Sequence, residues 1–358
     1  MNIEVNLAPK NLLKSKPEDV LNLIFGSVFT DHMFVMEYSD GAWKNARIEP
    51  YKPLQIDPAA LVLHYGQGIF EGLKAYRRGD DIFLFRPEKN MSRLNLSAKR
   101  MVMPNIDEGF ILKALSQLLM IEQDWIPTQK GTSLYVRPTM IATEAKLGVR
   151  PSNEYLFYII LSPVGPYFKE GFSPVGIYVA DQHVRAAEGG TGHAKTMGNY
   201  AASLLASTNA KEEGYSQVLW LDAKERKYLE EVGTMNICIV SDDEIVTPPL
   251  SGTILDGITR DSVLTLLNHW NYKVSERPIT MDEVLKGLSD GTIKEIFGCG
   301  TAAIIAPVGK LHFKGTTYPV TEGKIGSLTQ RLFDELTGIQ CGEVKDPFNW
   351  VYIVNNTS

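Results

Sequence analysis

Gly189-Gly190-Thr191-Gly192-His193-Ala194-Lys195-Thr196-Met197-Gly198-Asn199-Tyr200 is the stretch on which the fold turns, because it sets one lysine inside a glycine-punctuated turn ahead of an apolar helical pattern. Gly189, Gly190 and Gly192 give the backbone access to positive φ or to close approach by a ligand, and Gly198 with Asn199 opens the helix. Such a turn presents Lys195 rather than burying it. An amine held there and drawn out of water has a lowered pKa, which frees it to form a Schiff base with the carbonyl of a substrate or of pyridoxal phosphate. Taken alone, a loop lysine is more often a solvated surface charge.

Length and composition bound what surrounds that lysine. A chain of 358 residues suits two domains, each with its own core, and 44% hydrophobic with 22% charged residues is ordinary for a globular protein. The net charge of −6, with no dense basic face, excludes a nucleic-acid scaffold. Cys238, Cys299 and Cys341 are odd in number, widely spaced and lack a CxxC or a nearby histidine set, which points to a reducing compartment and no zinc site. The Met-Asn-Ile-Glu-Val-Asn start has no basic-then-apolar signal and no run is long enough to span a membrane, so a cytoplasmic location is expected.

Along the chain, helices and strands are mixed throughout. Met33 to Pro50 reads as a hairpin turning at Asp40-Gly41. A helix is expected over Asn90 to Met101, interrupted by the charge of Arg93, and an amphipathic one over Phe110 to Gln123. Ser133 to Pro138 and Leu156 to Pro163 are strand-length apolar runs, each closed by proline. The Pro/Gly-rich text after Gly165 marks an interdomain linker at 169–175, between a smaller domain over 1–168 and a larger one over 176–358 that carries the lysine. Beyond Lys195 come a helix from Tyr200 to about Glu212, Thr259 as the N-cap of a short helix, a Thr280-x-x-Glu283 capping box, and a closing helix near Gly326 to Thr337.

If Lys195 holds pyridoxal phosphate, the cofactor needs an anion cradle, a carboxylate at its ring nitrogen and a donor at its phenolic oxygen. Gly257-Ile-Thr-Arg offers the amides of Ile258 and Thr259 and the Thr259 hydroxyl, and Gly298-Cys-Gly-Thr-Ala offers Thr301 in a turn open to close approach. Glu231, in Leu229-Glu-Glu-Val-Gly-Thr-Met-Asn, is a candidate for the ring nitrogen. By itself the Glu230-Glu231 pair also fits a solvated turn.

Together these stretches resemble the branched-chain-amino-acid aminotransferases, of the fold-type IV pyridoxal phosphate enzymes. The resemblance runs in order through Thr30-Asp-His-Met, Leu63-His-Tyr-Gly-Gln-Gly-Ile-Phe-Glu-Gly-Leu-Lys-Ala-Tyr, Leu84-Phe-Arg-Pro, Gly131-Thr-Ser-Leu-Tyr-Val-Arg-Pro, Pro163-Val-Gly-Pro-Tyr-Phe and the segments above, nearly the whole chain. It implies a two-domain α+β or α/β architecture like that of D-amino-acid aminotransferase, and a homodimer. Lys195 would anchor the cofactor and act as general base, Glu231 would pair with the ring nitrogen, Tyr200 would hydrogen-bond the phenolic oxygen, and Arg93, Ile258, Thr259 and Thr301 would meet the phosphate.

The resemblance further implies a pocket that takes an apolar side chain and the γ-carboxylate of glutamate in turn. Its wall would comprise Phe25, Tyr65, Phe70, Tyr135, Tyr167 and Val149, the last from across a dimer interface, with Thr234 also in the substrate site. Arg137 would meet the glutamate carboxylate, and the amides of Thr301 and Ala302 the α-carboxylate. The implied activity moves an amino group between leucine, isoleucine or valine and 2-oxoglutarate. Rival readings are a D-amino-acid aminotransferase, an aminodeoxychorismate lyase, or a non-enzymatic binder of a phosphate ligand. Where some animal members carry a Cys-x-x-Cys pair, this chain has Ala303 and Ala306, so redox control by that pair is not expected, and Cys299 reads as a packed thiol.

Overall fold

Asp40 and Gly41 take φ of 55° and 79°, the left-handed pair that a two-residue hairpin turn demands, and so join the strands His32–Ser39 and Ala42–Pro50. The computed structural model that contains this hairpin describes residues 1–168 and 171–354. The contact pattern divides the chain into two units, one of Met1–Lys169, Ala194–Met197 and Gly338–Ser358, the other of Glu170–His193 and Gly198–Thr337. Residues 169 and 170 of the expected linker lie outside the described residues.

Among the described residues the first unit holds a nine-stranded sheet. Its central strands are Tyr155–Val164, Ser133–Ala142, Leu73–Arg78 and Asp81–Phe85, with the C-terminal Val351–Val354 added at one edge beside Asp81–Phe85. The helices Pro87–Arg100 and Glu108–Ile121 send Met91, Leu94, Ile111, Leu115 and Leu118 into one buried cluster with Phe34, Ile48, Leu84, Val136 and Phe157. Pro87 supplies the first residue of its helix, where a missing N–H costs nothing.

Both prolines expected to end strands lie inside them, since the strands run on to Ala142 and Val164. At Pro138 the reason is local. The neighbouring strand changes there from Leu73–Arg78 to Gly68–Phe70, so no ladder donor is required, and the Pro138 carbonyl accepts the Glu71 amide at 2.8 Å.

In the second unit Val175–Ala180, Gln217–Leu221, Leu229–Val232, Met235–Ser241, Ile293–Gly300 and Ile304–Phe313 pair in a closed ring, because Leu229–Val232 bonds both Gln217–Leu221 and Met235–Ser241. The Thr280 hydroxyl caps the helix Met281–Asp290 by accepting the Glu283 amide at 3.0 Å, as its capping box predicts. The expected Tyr200–Glu212 helix is two pieces, Met197–Ala201 and Leu204–Glu212.

The loop that carries Lys195 groups with the first unit rather than with the second half of the chain. The Phe70 amide donates to the Lys195 carbonyl at 3.1 Å, the Thr196 hydroxyl to the Gly68 carbonyl at 2.8 Å, and the Lys195 amide to the Ser97 hydroxyl at 2.9 Å. These bonds add the loop to the edge of Gly68–Phe70, which local sequence cannot announce. Among the described residues no helix is long and apolar enough to cross a membrane.

Candidate active site

In the first unit the strand Ser133–Ala142 alternates faces, so Leu134 and Val136 enter the core while Tyr135 and Arg137 share the opposite face. There Tyr135 meets Phe25 edge-on with ring centroids 4.9 Å apart, and Phe25 meets Tyr167 at 5.8 Å. The Arg137 guanidinium lies 4.8 Å from the centre of the Phe70 ring and 5.1 Å from that of Tyr135, and it donates to the Tyr135 hydroxyl at 3.1 Å. Its Nε is buried and has no acceptor among the described residues. The Lys195 ammonium stands 5.0 Å from the centre of the same Phe70 ring. Phe25, Phe70, Tyr135, Arg137, Tyr167 and Lys195, expected from sequence, are thus brought together.

Beside Phe70 a charge network sets the lysine's surroundings. Glu71 is fully buried, accepts two bonds from Arg93 at 2.7 and 2.9 Å and one from Asn90 at 2.8 Å. Burial alone would push its carboxyl up, but Arg93, then Lys195 and the Asn90 hydrogen bond, outweigh it and hold the group below the usual carboxylate range. Arg93 breaks the helix stripe because its charge is turned inward to Glu71, not out to solvent. Glu71, Asn90 and Ser97 carry no signal in the periodicity; only their burial in this network reveals them. Tyr65 and Val149 stand exposed on the chain, at 41% and 85%.

In the second unit Glu230 and Glu231 are both buried, which overturns the solvated-turn reading of that pair. Neither carboxylate reaches open water, Glu230 being 5% and Glu231 3% exposed. Glu231 is ion-paired with Arg185 and receives the Asn236 side-chain amide at 3.4 Å. Glu230 accepts the Thr253 hydroxyl at 2.5 Å, and burial pushes its carboxyl up. Arg185, Asn236 and Thr253 give no sign of themselves in the sequence, where an arginine forty-six residues before a glutamate looks like any other.

The helix Ile258–His269 starts at Gly257, so Thr259 sits in its first turn instead of capping it. A Cβ at Gly257 would lie 1.9 Å from the Asn236 side-chain oxygen, which explains the glycine and leaves the helix without a side-chain cap. Thr301 and Ala302 are half-buried in the turn between Ile293–Gly300 and Ile304–Phe313, Tyr200 is half-buried, and Thr234 is exposed. Cys299 is fully buried, as the packed-thiol reading expects, and lies beside Cys238 of the neighbouring strand; their thiol hydrogen bond lowers Cys238 and pushes Cys299 well up.

Known proteins resemble the chain over nearly its whole length. Residues 68–311 match the family model for amino-transferase class IV. The chain is 57% identical over 339 residues, 94% of its own length and 93% of the relative's, to the branched-chain-amino-acid aminotransferase 2 of Bacillus subtilis (strain 168). The branched-chain amino acid aminotransferase of Escherichia coli superposes with a TM-score of 0.75 at 27% identity, covering 91% of this chain and 99% of that one. The branched-chain aminotransferase of the thermophilic archaeon Thermoproteus uzoniensis, solved with norvaline, superposes with 0.74 at 25%, covering 90% and 100%. The fold is that of the fold-type IV enzymes, and the chain belongs to the class IV aminotransferases and, within them, to the branched-chain-amino-acid aminotransferases.

Proposed function

We propose that Lys195 is the catalytic residue of this branched-chain-amino-acid aminotransferase, that its cofactor is pyridoxal 5'-phosphate, and that the amino-group acceptor is 2-oxoglutarate. The observation that carries this reading is the Phe70 ring, which has the Lys195 amine 5.0 Å from its centre and the Arg137 guanidinium 4.8 Å from it. A reactive amine and a carboxylate receptor on one apolar plate suit a site that takes leucine and glutamate in turn.

The residues present fit the cofactor. The uncapped helix start at Ile258 and Thr259 leaves amides for a phosphate, and a buried carboxylate such as Glu231 is chemically matched to a protonated ring nitrogen. When bound, pyridoxal phosphate supplies the electron sink that allows an amino acid's α-carbon to lose its proton. Lys195 would take that proton from the substrate α-carbon and deliver it to the cofactor's C4′, Glu231 would keep a proton on the ring nitrogen, and Tyr200 would donate to the phenolic oxygen. Arg93, Ile258, Thr259 and Thr301 would hold the phosphate.

On the substrate side Phe25, Phe70, Tyr135 and Tyr167 exclude water around a branched side chain; Tyr65 and Val149, exposed on the single chain, would complete the wall, Val149 from across a dimer interface, and Thr234 would meet the substrate. Arg137 donates its unsatisfied Nε to the glutamate γ-carboxylate. The amides of Thr301 and Ala302 orient the α-carboxylate. In the same reading the enzyme works as a homodimer in the cytoplasm. Exposed Leu63, Tyr65, Leu147 and Val149 supply apolar surface for the first, and three free cysteines accord with the second.

Borohydride treatment of the reconstituted protein, followed by peptide mapping, tests the assignment. The visible band bleaches and the modified peptide contains Lys195. A colourless protein, or label on another lysine, overturns it. Single-turnover half-reactions with L-leucine, L-glutamate and D-alanine then separate this activity from the D-amino-acid enzymes of the fold.

A further inference from the structure

Arg185 lies between the strand Val175–Ala180 and the lysine loop, and its side chain is only 9% exposed. One nitrogen of its guanidinium, Nη2, pairs with Glu231 and donates to two carbonyls, that of Gly192 at 3.0 Å and that of Thr253. Gly192 belongs to the loop that leads to Lys195. Thr253 belongs to the loop that leads to Gly257 and the helix start proposed for the phosphate. The close approach is built in, since a Cβ on Gly192 would lie 2.3 Å from the Thr253 carbonyl oxygen.

Chemistry explains why a cation sits there. A carboxylate this deeply buried stays ionised only beside a cation or several donors. The neighbouring Glu230 shows the alternative: among the described residues it has a hydroxyl donor but no direct guanidinium contact, and burial pushes its carboxyl up. The carboxylate and both carbonyls converge on Nη2, at the far end of a side chain longer than lysine's.

We propose that Arg185 is a positioning residue for the transamination: it keeps Glu231 ionised and aimed, and pins the lysine loop and the phosphate loop to that carboxylate. This rests on the assignment of Glu231 to the cofactor's ring nitrogen. Arg185 touches neither cofactor nor substrate; it acts through Glu231 and two backbone carbonyls.

Arg185→Met and Arg185→Lys, compared with wild type as holoenzymes, test it by three readouts: the pH titration of the bound cofactor's visible band, the rate of cofactor loss on dilution, and kcat against KM for L-leucine. In Arg185→Met the buried carboxylate takes up a proton, so the band's transition moves up by about 1 pH unit or more. kcat falls about 10- to 100-fold while KM changes by less than about 3-fold. Arg185→Lys keeps the charge and the wild-type transition, but loses cofactor about 10-fold faster because its shorter side chain stops short of the point where the three oxygens converge. Arg185→Met with the wild-type titration overturns the proposal, whether or not its melting temperature falls. Should Arg185→Met not fold, Arg185→Lys decides alone, and wild-type cofactor retention there overturns it. A wild-type protein without any visible band marks instead the failure of the cofactor assignment.

Discussion

The Nε and Nη2 of Arg93 donate to the two carboxylate oxygens of Glu71 at 2.7 and 2.9 Å, with both side chains buried. Glu71 is thereby the hinge between an arginine on the helix Pro87–Arg100 and the lysine loop, whose ammonium also lowers the Glu71 carboxyl. Glu71→Gln leaves the buried guanidinium without its counter-charge and costs about 3–5 kcal/mol by chemical denaturation. The sign with pH follows from the depressed carboxyl: the stabilisation is fully present above the ordinary glutamate value of 4.5 and is lost as pH falls through the lower folded value. The stability gap between wild type and Glu71→Gln therefore narrows in acid.

Arg137→Met separates the two substrates. The variant keeps an apolar contact on Phe70 and Tyr135 but removes the donor with no internal acceptor among the described residues. The glutamate half-reaction loses about 10- to 100-fold in kcat/KM, the worth of a hydrogen bond to a charged group, while the leucine half-reaction changes by about 3-fold or less. Equal losses on both substrates count against Arg137 as the carboxylate receptor.

Gly72 is fixed by space rather than by its backbone angle, since a Cβ there would lie 2.0 Å from the Tyr135 hydroxyl. Gly72→Ala displaces Tyr135 and with it the bond to Arg137, raising KM for leucine and glutamate alike at a stability cost of about 1–3 kcal/mol. Steady-state kinetics on both substrates and a melting curve check this.

Ile258→Pro removes a single amide from the uncapped helix start. Proline is tolerated at the first helical position, and Gly257 already has the extended angles, φ −76° and ψ 124°, that a following proline requires. The melting temperature of the cofactor-free protein stays near wild type while pyridoxal phosphate binds about 10-fold more weakly, the share of one charge-assisted bond. Unchanged affinity in a titration of cofactor-free protein refutes the phosphate role of that amide.

Lys74 gives an alkaline signature. Burial lowers its ammonium from 10.5 to about 8. Below about 8 both folded and unfolded chains carry the proton, so the full cost of burying the charge is present; between about 8 and 10.5 the folded chain sheds it first, and stability rises with pH. Lys74→Met accordingly has its largest advantage over wild type near neutrality and loses it by about pH 10.5, as read by denaturation across that range.

Some of this was legible before any coordinates. The hairpin at Asp40-Gly41 and the cap at Thr280 follow from short-range rules, because a two-residue turn and a first helical turn are decided within four residues. Thr259 was misplaced by the same kind of rule. A hydroxyl next to a helix start looks like a cap, and only the Asn236 side chain against Gly257 shows why the cap is a glycine. Likewise Pro138 reads as a strand end until the change of neighbouring strand shows that no donor is needed there.

The sequence by itself determined the family: a lysine in a glycine-rich loop, an aromatic set with one arginine, and motifs in the order shared by the branched-chain-amino-acid aminotransferases. The glycine-rich loop is a matter of local residue types, whereas the aromatic set and its arginine follow from the resemblance of ordered motifs to that family. Only the tertiary structure decided which charges are buried together. Arg93 with Glu71, and Arg185 with Glu231, are 22 and 46 residues apart in sequence and meet because packed strands and loops bring each carboxylate against a guanidinium. Burial turns such pairs from surface charges into parts of a site, and burial belongs to the whole chain, not to any local run of it.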